Sequence, residues 1–145
     1  IGNLDAKRDW GHAKDYVRSM WMMLQKDKAD DFVIASGQSF SVRDFILKSF
    51  KLVGIDIEFI GVGLDEVGII KKIKSEIKNL KIGQTIIKVD PVYFRPSEVD
   101  SLLGNSNKAR KELNWKPEYD FDLLVKEMID SDLVLAKNEI RLNNN

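Results

Sequence analysis

Residues 31–45, "DFVIASGQSFSVRDF", decide the fold class. "FVIAS" (32–36) is a short continuous apolar run, the pattern of a strand buried on both faces and paired in parallel. "SGQS" then supplies a turn. Ser41 with Asp44 reads as a capping box, and Val42, Phe45, Ile46, Phe50 and Val53 repeat at helical spacing. Gly54 is a natural stop for that helix. Strand, turn and helix in this order predict an α/β chain.

Working outward, Ala13, Tyr16, Val17, Met20, Met23 and Leu24 form a helical stripe within 12–28, with Asp9 as cap or first-turn acid. "IDIEFI" (55–60) and "TIIKVD" (85–90) read as two further strands. Residues 61–84 are lysine-rich and punctuated by glycine, and both a hairpin and a short helix fit them. "SNKARKELNW" (106–115) predicts a short helix broken by Lys116-Pro117. Asp120 caps a last amphipathic helix through Phe121, Leu124, Val125, Met128, Ile129 and Leu133, and the closing asparagines are expected to fray. The expected architecture is helix-rich with a few short strands, too thin a sheet unless one or more strands complete a sheet begun elsewhere.

Composition narrows the function. The 145 residues suffice for one domain with a real core, and 43% hydrophobic against 32% charged is globular composition. Lys+Arg 23 balances Asp+Glu 23, which argues against a nucleic-acid partner. No apolar run reaches the roughly 18 residues needed to span a bilayer. The absence of cysteine removes disulfides and thiolate metal sites and fits a reducing, cytoplasmic setting, and a single histidine argues against a zinc site. A start at Ile1, with neither initiator methionine nor signal peptide, is expected of a piece of a longer polypeptide.

Two stretches carry candidate chemistry. In "DPVYFRPSEVD" (90–100), Pro96 pins the backbone after Arg95 and biases Arg95 toward an extended conformation. Ser97 can cap a short helix with Glu98 on its first turn. A guanidinium fork suits a diphosphate and a carboxylate suits ribose hydroxyls, although a simple surface ion pair between Arg95 and Glu98 fits equally well. "KRDWGHAKD" (7–15) sets Lys7 and Arg8 beside Trp10, a second cationic cluster. The G-x-G of "IDIEFIGVGLDEVG" has its third glycine in the wrong place for a dinucleotide loop and carboxylates where a pyrophosphate would sit, so it reads as a turn. Asp30 and Asp31 read as a solvated turn and His12 as structural. No Ser-His-Asp order and no metal-spaced cluster is present.

Taken in order, "LDAKRDWGHAKDYV", "DFVIASGQSFSVRDF", "VYFRPSEVDSLLGNSNKARKELNWKPE" and "LLVKEMIDSDL" resemble the C-terminal portion of the GDP-mannose 4,6-dehydratase family, within the extended short-chain dehydrogenases/reductases. The resemblance runs from Gly2 to about Leu135 and is weakest over 61–84. It implies that residues 1–145 form the nucleotide-sugar-binding portion of such an enzyme, with the NADP-binding Rossmann domain outside this chain. It also implies a lyase reaction. GDP-mannose loses water to give GDP-4-dehydro-6-deoxymannose, on the way to GDP-fucose and related deoxysugars, with NADP taking and returning a hydride. By residue-to-residue match the arginines of the "RDW" and "RP" motifs, Arg8 and Arg95, reach the diphosphate, and Glu98 holds the ribose. Asn3 and Lys7 are weaker neighbours.

No catalytic residue is expected here, since Tyr16, Tyr93 and Tyr119 are followed four residues on by Met20, Ser97 and Leu123, not lysine. Val92 stands where the family commonly has arginine, and "LGNSNKA" replaces an acidic "LGDPxKA", departures that bear on nucleotide or oligomer contacts. A homo-oligomer, dimer or tetramer, is expected of the intact protein. The alternatives are a dehydratase or epimerase for another nucleotide sugar, or a non-catalytic nucleotide-binding module.

Overall fold

A computed structural model describes residues 1–74, 79–95, 99 and 101–143 of the chain. In chain order the elements are β1 (Lys7–Arg8), α1 (Ala13–Leu24), β2 (Phe40–Ser41), α2 (Val42–Leu52), β3 (Ile55–Ile60), β4 (Val67–Ile73), β5 (Thr85–Lys88), α3 (Asn107–Glu112) and α4 (Phe121–Asn143). The mixture of helix and short strand is the expected one. The elements fall into two compact units, Ile1–Arg8 with Phe40–Ser101, and Asp9–Ser39 with Leu102–Asn145.

The first unit is built on an antiparallel sheet of order β3-β4-β5 with α2 leading into it. In β3 the side chains alternate: Ile55 and Ile57 are buried, Asp56 and Glu58 exposed, as a period of two requires. Ile70 on β4 is fully buried and pairs with Ile57, and Gly68 stands two residues before it on the same strand, opposite Phe59. A Cβ on Gly68 would stand 3.0 Å from Ile87 and 3.1 Å from Phe59, so a side chain there would press on both neighbouring strands. Leu4, Ile46, Ile55, Ile57, Ile70 and Val89 make the core, with Phe50, Phe59 and Phe94 packed against it. The capping box forms as expected: Ser41 Oγ accepts from Asp44 N and the Asp44 carboxylate accepts from Ser41 N. The helix it starts ends at Gly54, whose φ of 82° is the left-handed conformation glycine adopts without strain. Residues 61–73 resolve as the return of a hairpin, with Gly61 and Gly63 at positive φ, a 3-10 turn at Gly63–Asp65, and β4 running back along β3.

In the second unit Ala109, Leu113 and Trp115 form a core with Met22, Met23, Phe32 and Ile34 against it. Helix α3 stops at Asn114 with φ 52°, a left-handed stop for which asparagine substitutes for glycine. The Trp115 indole N–H donates to Asp15 O at 3.0 Å, so the buried ring carries no unpaired donor. The 2% exposed carboxylate of Asp15 accepts from the amides of Glu118 and Tyr119 at 3.0 and 3.1 Å and from Arg18 at 3.2 Å. One acidic side chain thus holds the loop before α4 to α1. Asp120 caps α4 as expected, accepting from Leu123 N at 2.8 Å. The asparagines expected to fray lie, from 144 on, outside the described residues.

Two expectations are corrected. "FVIAS" forms no strand among the described residues. Phe32 and Ile34 turn inward and Val33 is 57% exposed. Apolar β-branched content favours a strand, but a strand requires a neighbouring ladder, and none pairs with this run among the described residues. Asp9 does not cap α1. That cap is His12, whose Nδ1 accepts from Lys14 N at 3.1 Å. The Asp9 carboxylate instead gathers the amides of Ser36, Gly37 and Gly104 at 2.8, 2.9 and 3.3 Å, stapling two loops of the second unit.

Candidate functional site

The cationic residues of the site lie on the first unit. Between Asn3 and Arg8 the chain alternates, with Leu4 and Ala6 buried at 2% and 3% while Asp5 and Lys7 face out. The Asn3 side-chain oxygen accepts from Asp5 N at 2.9 Å, an Asx turn that uses the group expected to serve a ligand. The segment then runs as β1 between two neighbours. On one side Lys7 pairs with Ser41 and Arg8 with Phe40, antiparallel, and on the other Lys7 bridges Ser101 in parallel. Such an inner strand is held from both edges.

Arg95 comes off a corner built by Asp90. The Asp90 carboxylate accepts from Val92 N at 2.9 Å and its carbonyl from Tyr93 N and Phe94 N at 3.0 and 3.1 Å. Phe94 is anchored in the core, so Arg95, the next residue and exposed, leaves a fixed point.

The segment 2–8 meets the chain on either side of Arg95. At one end a Cβ on Gly2 would fall 2.4 Å from Tyr93 O, so the backbones touch where only hydrogen fits between them. At the other, Arg8 Nη1 donates to Lys7 O at 2.7 Å and to Val99 O at 2.8 Å. Asn3, Lys7 and Arg8 therefore lie on a segment that touches the chain at Tyr93, two residues before Arg95, and again at Val99 and Ser101. Glu98 and the helix start expected at Ser97 lie outside the described residues.

The surroundings are polar and charge-matched. The Ser41 hydroxyl and amide, with Lys7 and Lys48 further off, hold the Asp44 carboxyl below the usual carboxylate range. Arg43 joins Asp5 and Glu66, and these hydrogen bonds, above all those to Glu66, push its guanidinium still further up. Sequence reading missed this trio because Asp5, Arg43 and Glu66 are unremarkable in spacing and meet only through the fold. It also missed the role of Asp9.

Chemically, guanidinium groups can neutralise and orient an anionic group. Among the described residues no cluster of three or more His, Cys, Asp or Glu could hold a metal. The glycines at 61 and 63 lead into a 3-10 turn and an antiparallel strand, not a helix N-terminus, so these residues do not fit a dinucleotide pyrophosphate. His12, buried and stacked on Tyr119 with ring centroids 3.9 Å apart, has Nε2 3.3 Å from Glu127 and is taken up in the second unit. Asp30 pairs with Lys108 at 2.6 Å. No helix among the described residues is long and apolar enough to cross a membrane.

A sequence model of the family described as GDP-mannose 4,6 dehydratase matches residues 1–128. The chain is 51% identical over 143 residues to the GDP-mannose 4,6-dehydratase of Vibrio cholerae serotype O1, covering 98% of this chain and 38% of that protein. It is 48% identical to the Dictyostelium discoideum GDP-mannose 4,6 dehydratase, over 99% of this chain and 38% of the relative. With the Homo sapiens GDP-mannose 4,6 dehydratase it shares 50% identity over 137 residues, 94% of this chain and 34% of the relative. The chain thus spans less than two fifths of the length of these curated relatives. By the extent of this match, the chain belongs to the GDP-mannose 4,6-dehydratase family.

Proposed function

We propose that the chain is the nucleotide-sugar-binding portion of an NADP-dependent GDP-mannose 4,6-dehydratase. The observation that supports this reading is that the segment bearing Lys7 and Arg8 touches Tyr93, two residues before Arg95, at its start and Val99 and Ser101 at its end, within one unit. In this reading Arg8 and Arg95 bind the two phosphates of GDP-mannose through planar forks, Lys7 adds charge, Glu98 accepts from the ribose hydroxyls, and Asn3 shapes the turn beneath them. The substrate is thereby oriented for chemistry performed by groups outside these residues. NADP, when bound, supplies the hydride acceptor and donor for the dehydration. No residue of this chain is assigned to hold it. The intact protein is proposed to be a cytoplasmic lyase that works as a homo-oligomer.

Calorimetric titration of the full-length protein with GDP tests the reading. Saturable binding that weakens in both Arg8→Lys and Arg95→Lys supports it. Parent-like affinity in both variants overturns it.

A further inference from the structure

We infer that Arg43 is a positioning residue for the diphosphate site, holding the Asn3–Arg8 segment without itself touching the nucleotide. The inference rests on the assignment of Lys7 and Arg8 to that site. Arg43 grips the segment twice. Its backbone amide donates to Leu4 O at 2.8 Å, beside Val42 N to Ala6 O at 3.2 Å, so the first amides of α2 are satisfied by the 4–6 carbonyls. Its guanidinium then reaches the Asp5 carboxylate through Nε and Nη2 at 3.0 and 2.9 Å.

The guanidinium is itself immobilised. Nη1 and Nη2 meet the two oxygens of Glu66 at 2.5 and 3.1 Å, and the group lies 4.7 Å from the centre of the Phe59 ring. Glu66 has only 10% of its side chain exposed, whereas Asp5 has 73%. The two carboxylates therefore play different parts. Glu66 is a buried anion that needs its cation. An exposed pair such as Asp5–Arg43 adds little to stability, but its geometry ties the turn two residues before Lys7 to a fixed point on β4's approach. Two donors of the planar guanidinium converge on one Asp5 oxygen and make that tie directional, which a lysine cannot reproduce.

The test uses Asp5→Asn and Arg43→Lys in the full-length protein. Asp5→Asn removes a negative charge near the cations, so electrostatics by itself would tighten GDP binding. Positioning predicts the opposite, a Kd raised by about threefold, and by about tenfold for Arg43→Lys, because displaced binding groups lose their alignment. KM for the nucleotide sugar should rise with kcat little changed, whereas loss of folded protein would lower kcat and leave KM alone. Amide hydrogen exchange at Lys7 and Arg8 should quicken in both variants. Unchanged or tighter GDP binding in Asp5→Asn, or unchanged exchange at Lys7 and Arg8, overturns the inference. If Arg43→Lys does not fold, Asp5→Asn decides. If the parent binds no GDP, the nucleotide reading falls and its affinity consequence with it, and the exchange rates still decide whether the trio holds β1.

Discussion

Arg8 and Val99, ninety-one residues apart in the chain, meet through a 2.8 Å hydrogen bond from guanidinium Nη1 to backbone oxygen. The same guanidinium nitrogen donates to Lys7 O, so the side chain lies between β1 and Val99, close to where Lys7 bridges Ser101. A diphosphate arriving there would find the guanidinium oriented by backbone acceptors.

In the full-length protein, Arg95→Lys should weaken GDP binding by about ten- to a hundredfold, because lysine keeps the charge but loses the fork, and a charge-assisted hydrogen bond is worth ~1.5–3 kcal/mol. Glu98→Gln should weaken binding less, since its amide still offers an oxygen to the ribose. NADP retention should be unchanged in both. Calorimetry with GDP beside a thermal melt separates this from a surface ion pair, for which only a small stability loss is expected.

Asp15→Asn should destabilise the protein by about 1.5–3 kcal/mol, since the buried carboxylate accepts from two amides and Arg18, and an amide in its place presents a donor to donors. Urea denaturation followed by circular dichroism reads the change. A midpoint within error of the parent would show that the loop before α4 is held by other contacts.

Gly104→Ala should cost about 1–3 kcal/mol, because the new Cβ would stand 2.2 Å from the Cβ of Ala35. Ala35→Gly removes the obstructing atom, so the double variant should recover part of the loss. A double-mutant cycle on thermal melts measures the coupling, and additive losses would show that the two positions do not meet.

The Asp44 carboxyl is held below its ordinary value by Ser41, so the capping box is expected to stabilise the fold at neutral pH. The sign follows from the depressed folded value: the contribution is complete above the unfolded value of about 4 and is lost as pH falls through the lower folded value. Asp44→Asn should therefore lower Tm at pH 7, with the gap from the parent closing toward pH 2–3. A pH-independent gap would assign the cap's effect to the hydrogen bonds and not to the charge.

The 145-residue chain by itself should self-associate, because the apolar 32–35 run pairs with no strand among the described residues and leaves Val33 57% exposed. Val33→Lys should reduce the association. Sedimentation velocity at increasing concentration measures both, and a monodisperse monomer throughout would count against an unpaired strand.

The elements governed by neighbours in sequence were legible in the residues. The Ser41–Asp44 box, the stop at Gly54, the Asp120 cap and the alternation of Ile55 to Ile60 rest on backbone geometry and on side chains three or four positions apart. Their free energies are largely local, so pattern and spacing suffice. Arg8 and Arg95 were legible as residue types and, through resemblance, as a pair.

What the tertiary structure alone decided are the partners. "FVIAS" joins no strand among the described residues and residues 67–73 form a hairpin return, because a strand is defined by the edge beside it and no residue encodes that edge. Asp9 left the helix cap for three amides from 36, 37 and 104, and Arg43 found Asp5 and Glu66, since a carboxylate or guanidinium goes to whichever donors or acceptors the chain brings within about 3 Å. Sequence specifies what each side chain can bond, and only the folded path determines which of those bonds are made.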